Sequence, residues 1–166
     1  AKDRGARKVL VIGAPEARLN VAREWGADDV CNLDEAKDPA KRKEWVMEHT
    51  SGLGADVVIQ VAVSSAIPEG LDLARRGGRL AAVGTSPGDS SFPGRLITMK
   101  TLTVVGVLGT ASRHFNQALQ FRATRKKLFP FDKLLSNTYT LDKVGDALQA
   151  MADFKEVKPI VLPKAG

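Results

Sequence analysis

Short apolar runs alternate with helical patterns along almost the whole chain. Runs rich in apolar or β-branched residues occupy positions 8–12, 29–33, 55–63, 80–85, 101–108 and 159–162. Most of these runs are continuously apolar, which is typical of parallel strands that are covered on both faces. The alternation of such runs with helical segments predicts βαβ units, and hence an α/β fold built on a parallel sheet.

The helical patterns between the runs carry start and stop signals. Asp38 followed by Pro39 predicts the N-cap and first residue of a helix that ends near Thr50. A later helix is expected to begin at Ser64 or Ser65 and to end at Gly77-Gly78. Within it the small Gly70 is expected to allow close packing onto the sheet. Further helices are predicted at 15–25, 112–126 and 142–152.

The bulk properties fit one domain with a hydrophobic core. The chain has 166 residues, of which 43% are hydrophobic. Its single cysteine, Cys31, lies in a short apolar stretch and is expected to be buried, which suits a reducing cytoplasm. No apolar run is long enough to span a membrane, and no secretory signal pattern opens the chain.

The net charge of +6 raises the question of a nucleic-acid partner. Basic clusters occur at 41–43 and at 122–127. The clusters lack interleaved aromatic residues, and no RNA- or DNA-binding motif accompanies them. We therefore interpret them as solvated helix faces and expect no nucleic-acid partner.

Six segments, in this order, resemble one family. They are KVLVIGAPEARLNVAREWGAD, GLGADVVIQVAV, GLDLARRGGRLAAVGT, LITMKTLTVVGVLG, YTLDKVGDALQAM and KPIVLP. Over essentially its whole length the chain is similar to the coenzyme-binding domain of the medium-chain dehydrogenase/reductase superfamily, in the zinc-type alcohol dehydrogenase group. The resemblance implies a Rossmann-like, doubly wound parallel sheet.

The chain departs from this family at its beginning. In the family a strand, a G-x-G-x-x-G loop and a helix precede the segment matching 8–13, and a zinc-containing catalytic domain with a GroES-like fold precedes them. None of the 15 glycines here forms that motif. The resemblance thus implies that 1–166 is a partial NAD(P)-binding domain, without its central first strand and without the catalytic domain. We expect self-association or marginal stability from the resulting gap.

The resemblance also implies residues that contact the cofactor. Gly13 stands where relatives often carry an acid that binds the adenosine ribose, and Arg18 follows one turn into the next helix. Lack of that carboxylate and presence of the arginine favour NADP over NAD. The alternative is that Gly13 serves only the turn and Arg18 is a solvated surface residue. Lys158 matches a basic residue that approaches a cofactor phosphate in the family.

The remaining expected cofactor contacts lie at strand ends, where open parallel sheets bind ligands. By the resemblance they are Val61, Ala62, Val83, Gly84, Thr85, Val107 and Leu108. The alternative for the apolar members is plain core packing. Gln60 stands where relatives often carry an acid, so that acid's role does not transfer.

No catalytic constellation is visible in the sequence. The only histidines, His49 and His114, lie on different predicted helices and have no ligand partners at metal-binding spacing. We expect both to be surface or helix-end residues. In dimeric relatives the strand matching 101–108 pairs with its copy, so the resemblance implies a homodimer through this edge.

Three functions remain open at this point. The first is a fragment of an NAD(P)-dependent alcohol dehydrogenase-type oxidoreductase, inactive alone because zinc and the acid–base residues belong to the absent domain. The second is a non-catalytic folding or assembly module, or a weak nucleotide binder. The third is a basic nucleic-acid-binding protein on a borrowed fold.

Overall fold

The computed structural model describes residues 1–84, 89–109 and 111–163. Short 3-10 turns occur at 2–4, 64–66, 131–134 and 141–143. In chain order the elements are β1 (Leu10–Gly13), α1 (Glu16–Glu24), β2 (Asp29–Asn32), α2 (Pro39–His49), β3 (Ala55–Gln60), α3 (Ile67–Leu73), β4 (Ala74–Ala82), α4 (Arg95–Lys100), β5 (Thr103–Gly106), α5 (Ser112–Arg125), β6 (Thr138–Thr140), α6 (Val144–Ala152) and β7 (Ile160–Leu162).

All strand pairs are parallel, which confirms the predicted α/β class. Within the described residues the strands form three separate sheets, β1-β2, β3-β4-β5 and β6-β7. The chain divides into a first unit, Ala1–Glu35 with the segment from Ser112 onward, and a second unit, Ala36–Ala111. In the described ranges no strand is hydrogen bonded to both β1 and β3.

The core of the second unit lies between its sheet and α3. Leu80 of β4 is fully buried and pairs with Val58 of β3 in the parallel register. A Cβ atom at Gly70 of α3 would lie 2.9 Å from Leu80 Cδ1 and 3.4 Å from Val58 Cγ1. The absence of a side chain at Gly70 therefore lets α3 approach the sheet, as predicted from the sequence.

A buried ion pair joins α2 to α3. Arg42, whose residue exposure is 6%, donates from Nε and Nη2 to the two carboxylate oxygens of Glu69 at 2.6 and 2.7 Å. Its Nη1 also donates to the carbonyls of Ala36 and Lys37. The interpretation of 41–43 as a solvated face is thus wrong for Arg42, because its guanidinium is buried in an ion pair with Glu69, 27 positions later in the sequence.

The expected end of the third helix is also wrong. α3 ends at Leu73, and Ala74 already has extended backbone angles. Lys100 of α4 closes this helix end by donating to the carbonyls of Leu71, Asp72 and Ala74 at 2.6–3.1 Å. Burial lowers the pKa of this ammonium, although Asp72 nearby acts in the opposite direction.

The glycines at 77 and 78 lie inside β4 rather than after a helix. Ala74 pairs with Ala55, but the next pairing of the ladder joins Arg79 to Val57, so β4 carries a bulge. A Cβ at Gly78 would lie 2.8 Å from the carbonyl oxygen of Arg75 and 3.2 Å from that of Ala55. The glycine at 78 therefore serves a close backbone approach within the bulge.

The first unit has a smaller core with two parts. Leu19 of α1 and Cys31 of β2 are buried, the latter as expected. Trp25 stacks on Phe129 with ring centroids 5.5 Å apart and meets Phe131 edge-on at 4.9 Å. The rings hold the segment after α5 against the end of α1.

A carboxylate network links β6 to the approach of β7. Glu156, which is buried, accepts hydrogen bonds from the hydroxyl of Tyr139 and from Asn137 Nδ2 and backbone N. The hydrogen bond from Tyr139 is the main cause that lowers the pKa of Glu156, and it raises the pKa of Tyr139. Ser136 Oγ accepts from the backbone N–H groups of Val157 and Lys158. This network fixes the small β6-β7 sheet.

Other boundaries differ modestly from prediction. Asp38 is confirmed as the N-cap of α2, since its carboxylate accepts from Ala40 N at 2.9 Å. Neither Ser64 nor Ser65 caps α3 with its side chain, because a 3-10 turn precedes the helix. α4 and β6 were not predicted. No helix in the described ranges has the length and apolar character to cross a membrane.

Candidate functional site

The carboxyl ends of β3, β4 and β5 meet at one edge of the second unit's sheet. The backbone N–H groups of Val83 and Gly84 donate to the carbonyl of Gln60 at 2.8 and 3.0 Å. The N–H of Val107 donates to the carbonyl of Ala82 at 2.8 Å. The structure therefore brings together the chain segments that leave the three strands, which we call the strand-end edge.

The tightest approach at this edge involves Gly84. A Cβ atom there would lie 1.8 Å from the carbonyl oxygen of Ala62, far inside any contact distance. Only glycine fits this position without moving the backbone. The exits of β3 and β4 thus run side by side at backbone contact.

The predicted apolar members of the strand-end edge are accessible. Val61, Val83 and Val107 are 71%, 38% and 44% exposed, and Leu108 is 89% exposed. Plain core packing, the alternative considered for them, does not describe these side chains. Thr85 lies outside the described residues.

Gln60 forms the floor of the edge, and sequence reasoning gave it no role. Its side chain is buried, and Nε2 donates to the carbonyl of Val63 at 2.6 Å. Its Oε1 is buried without a hydrogen-bond partner among the described residues. Ser90 Oγ donates to the carbonyl of Ser64 at 2.5 Å, which ties the segment after β4 to the segment after β3. The signal in the sequence was a glutamine inside an otherwise apolar run, and its burial could not be read from the sequence.

In the first unit, Gly13 ends β1 and its carbonyl accepts from Leu33 N at 2.9 Å. A Cβ at this position would have only Leu19 Cδ2 within 4 Å, at an ordinary contact distance of 3.5 Å. The glycine is therefore not required sterically. A side chain would fit here, so the lack of a carboxylate is a property of the sequence rather than of the fold.

A different carboxylate approaches the end of β1. Glu16 accepts from Asn32 Nδ2 at 3.0 Å, and Asn32 is the register partner of Gly13. Glu16 also accepts from Arg23 Nη1 at 2.5 Å, and this hydrogen bond is the largest cause that lowers the pKa of Glu16. Sequence reasoning missed this acid because it looked only at the strand's last position.

Arg18 is exposed on α1, and its guanidinium carbon lies 4.9 Å from the centroid of the Phe154 ring. This cation–π contact holds the side chain near the end of α6. Lys158 is exposed before β7. In the part of the chain that the structure describes, no hydrogen bond or ion pair joins Lys158 to Arg18.

The two histidines lie on different helices, α2 and α5. His49 Nδ1 lies 2.7 Å from the carbonyl of Trp45, one turn earlier in α2. His114 is exposed on α5 beside Arg113. Across residues 1–84, 89–109 and 111–163, no group of three or more His, Cys, Asp or Glu could hold a metal ion.

Comparison with known proteins identifies the family. Residues 1–124 match the family model described as zinc-binding dehydrogenase. The chain is 27% identical over 164 residues to 5-exo-hydroxycamphor dehydrogenase of Pseudomonas putida, covering 95% of this chain and 44% of that protein. It is 32% identical over 169 residues to L-threonine 3-dehydrogenase of Pyrococcus furiosus, covering 99% of this chain and 47% of that protein.

A solved structure agrees with these relatives. The fold superposes on an alcohol dehydrogenase from Thermotoga maritima with a TM-score of 0.86 and 28% identity, over 98% of this chain and 45% of that one. The chain belongs to the zinc-binding dehydrogenase family and has the Rossmann-like α/β fold of its coenzyme-binding part. It spans less than half the length of these relatives.

Proposed function

We propose that this chain is the coenzyme-binding part of an NAD(P)-dependent oxidoreductase of the alcohol dehydrogenase type. The intact enzyme would move a hydride between an alcohol or carbonyl substrate and the nicotinamide cofactor. The observation that carries this proposal is the strand-end edge, because open parallel sheets bind ligands beyond the carboxyl ends of their strands. The names of the matched proteins, all dehydrogenases, support the reaction class.

The residues present fit part of a dinucleotide. Val61, Val83 and Val107 offer exposed apolar side chains, and Gly84 lies in backbone contact with Ala62 where β4 and β3 end. With Ala62, Leu108 and Thr85 they are proposed to contact the nicotinamide and its ribose. When bound, the nicotinamide ring supplies the acceptor or donor of the hydride.

The pyrophosphate does not find its usual anchor in this sequence. None of the chain's glycines forms G-x-G-x-x-G, whose backbone and following helix N-terminus stabilise the phosphate charge. We therefore expect residues 1–166 to bind the cofactor weakly and to catalyse nothing alone. Zinc and the acid–base residues of the proposed enzyme would lie outside this segment.

For the adenosine end we propose Gly13, Arg18 and Lys158, with NADP(H) preferred to NAD(H). Gly13 carries no carboxylate to repel a 2′-phosphate, and Arg18 and Lys158 are exposed cations. Glu16 opposes this preference, but Arg23 already pairs with it. When the cofactor binds, Arg18 would either move away from the Phe154 ring or pair with the 2′-phosphate while it keeps its contact with that ring.

The proposed enzyme acts in the cytoplasm as a homodimer through 101–108. In the described structure β5 pairs with β4 along one edge, and no other strand pairs with it. Val104 and Val105 of β5 are 42% and 49% exposed. An apolar β-branched edge of this kind favours pairing with a second copy.

The alternative is a non-catalytic module that folds or assembles without hydride chemistry, or that binds nucleotides weakly. The two functions differ in what the reading frame encodes upstream of Ala1. A zinc-ligand domain followed by G-x-G-x-x-G, with NAD(P)-dependent alcohol oxidation by the extended polypeptide, is the expected result. If the extended polypeptide had neither feature and no activity, the result would favour the non-catalytic module instead.

A further inference from the structure

A cavity in the first unit joins basic and aromatic side chains that sequence analysis had kept apart. The cavity has a volume of about 330 Å³. It lies between the last two turns of α5 and the segment that follows this helix. Its lining residues are Leu119, Arg122, Ala123, Lys126, Phe129, Pro130, Phe131 and Asp132. The basic cluster at 122–127 thus has aromatic partners after all, supplied by the chain a few residues later.

The aromatic wall is held in place before any ligand arrives. Phe129 stacks on Trp25 at 5.5 Å and lies 5.7 Å from Phe121, centroid to centroid. Phe131 meets Trp25 edge-on at 4.9 Å and Phe121 at 5.9 Å. Since each ring contacts several others, the positions of the rings are fixed. Phe129 and Phe131 stand at 78° to each other, so a flat group that faces one ring meets the other edge-on.

The charge at this cavity is positive and only partly compensated. Neighbouring cations are engaged elsewhere: Arg125 with Asp3 at 2.5 Å and Lys133 with Glu24 at 2.9 Å. Arg122 lies 3.9 Å from Asp132, whose side chain is 96% exposed, so this ion pair is screened by solvent. Lys126 has no ion-pair partner in the described part of the chain. Arg122 lies in the last turn of α5 and Lys126 directly follows the helix, and both line the cavity.

We propose that this cavity binds a nucleoside monophosphate. The base packs face-on against Phe131 and meets Phe129 edge-on, since the two ring planes are 78° apart. The phosphate is held between Arg122 and Lys126. A phosphate dianion needs two cations, and guanidinium with ammonium supplies them. The volume lies at the lower end of the range for small-ligand sites. A single recess with one adjacent acid suits a small ligand better than a long phosphate track. The proposal does not depend on the dehydrogenase function, because it uses neither the strand-end edge nor Gly13 and Arg18.

The test is a titration of the full chain with AMP, followed by backbone-amide NMR shifts. Saturable shifts at 119–132 are expected, separate from any shifts that AMP causes at the proposed adenosine end near Gly13 and Arg18. At 119–132, adenosine or inorganic phosphate alone should bind at least about tenfold more weakly, because each makes only half of the contacts. Lys126→Ala should weaken AMP binding by roughly tenfold or more, through loss of a charge-assisted hydrogen bond. Lys127→Ala, which removes the neighbouring charge outside the cavity, is the matched control and should change affinity by less than about twofold.

Three results would overturn the proposal. If Lys126→Ala and Lys127→Ala weakened AMP binding equally, the effect of each lysine would be general electrostatic attraction rather than a specific contact with the phosphate. Inorganic phosphate binding as well as AMP would show that the aromatic wall is unused. Affinity that rises steeply with the length of a single-stranded oligonucleotide would indicate a nucleic-acid track instead. Arg18→Ala separates the two proposals, since it should leave the shifts at 119–132 unchanged and weaken only coenzyme binding at β1.

Discussion

The two faces of the β3-β4-β5 sheet differ sharply. On one face Leu80 is fully buried under α3, beside Val58 and against Gly70. On the other face the register aligns Ile59 with Ala81 and Val105. There Ile59 is 60% exposed and Val105 49% exposed. The apolar run in β3 therefore has one face covered by α3 and one open face that is exposed to solvent.

This difference teaches what a continuous apolar run can and cannot predict. The run at 55–63 predicts a strand covered on both faces, because its side chains are apolar in both directions. Among the described residues, Leu80 on the face toward α3 is buried, whereas Ile59 and Val105 on the other face are exposed. Exposed apolar surface of this extent marks an interaction site. The open face fits our proposal that the chain is one part of a longer dehydrogenase.

The largest expected effect concerns the edge of this sheet. Val104→Lys introduces a charge on β5, and Val104→Pro removes a backbone N–H donor from it. Either variant should convert the proposed homodimer to monomer, because a charged edge or one without that donor pairs poorly with a second strand. Analytical ultracentrifugation at several concentrations measures the change. Val57→Lys, at an exposed position of β3 across the same sheet, is the control and should leave the dimer intact. An unchanged assembly state of the Val104 variants would remove β5 as the interface.

The second change compares the two faces directly. Leu80→Ala should lower the free energy of unfolding by about 2–5 kcal/mol, because it opens a cavity under α3. Ile59→Ala, on the open face of the neighbouring strand, should cost less than about 1 kcal/mol, since its side chain is already largely hydrated. Urea denaturation of both variants gives the two values. Similar losses would mean that the open face is covered in solution.

A third change carries the comparison to the first unit, where β1 ends in a turn with room for a side chain. Gly13→Asp should weaken NADPH binding by roughly tenfold relative to NADH, because a carboxylate within a few ångströms of a 2′-phosphate repels it. Gly13→Asn is the matched uncharged control and should shift the preference much less. Equal effects of both variants on the two cofactors would place the adenosine end elsewhere.

The smallest expected effect lies in the β6-β7 sheet, outside both faces. Hydrogen bonds from Tyr139 and Asn137 lower the pKa of Glu156. The carboxylate therefore stabilises the fold above the ordinary glutamate pKa of about 4.3, and this contribution is lost as pH falls through the lowered value. Melting temperatures between about pH 3 and 6 should fall less steeply with acid for Glu156→Gln than for the wild type. Parallel pH profiles of the two proteins would contradict this role.

Local signals predicted the elements well, and signals from distant residues did not. The cap at Asp38 was predictable because its carboxylate accepts a hydrogen bond from Ala40, only two residues later in the chain. The bulge in β4 depends on Gly78 meeting the carbonyl of Ala55, which no local reading of two glycines reveals. Arg42 is buried for the same reason, since its partner Glu69 belongs to another helix.

For the candidate site, the sequence predicted which segments meet but not how. The resemblance named the exits of β3, β4 and β5, and the structure joins them through the carbonyls of Gln60 and Ala82. The buried Gln60 amide and the Glu16 carboxylate near the end of β1 required three-dimensional contacts to be seen. Binding of a cofactor by these residues stays a prediction.

The most direct test of the account is a titration of the chain with NADPH, followed by backbone-amide NMR shifts at the strand-end edge. Without a glycine-rich loop the dissociation constant should be weak, on the order of 1 mM, which NMR still measures. The account predicts saturable shifts at Val61, Val83, Gly84 and Val107, with smaller shifts from NADH. Unchanged amides at all four positions, at NADPH concentrations that shift other residues, would contradict it.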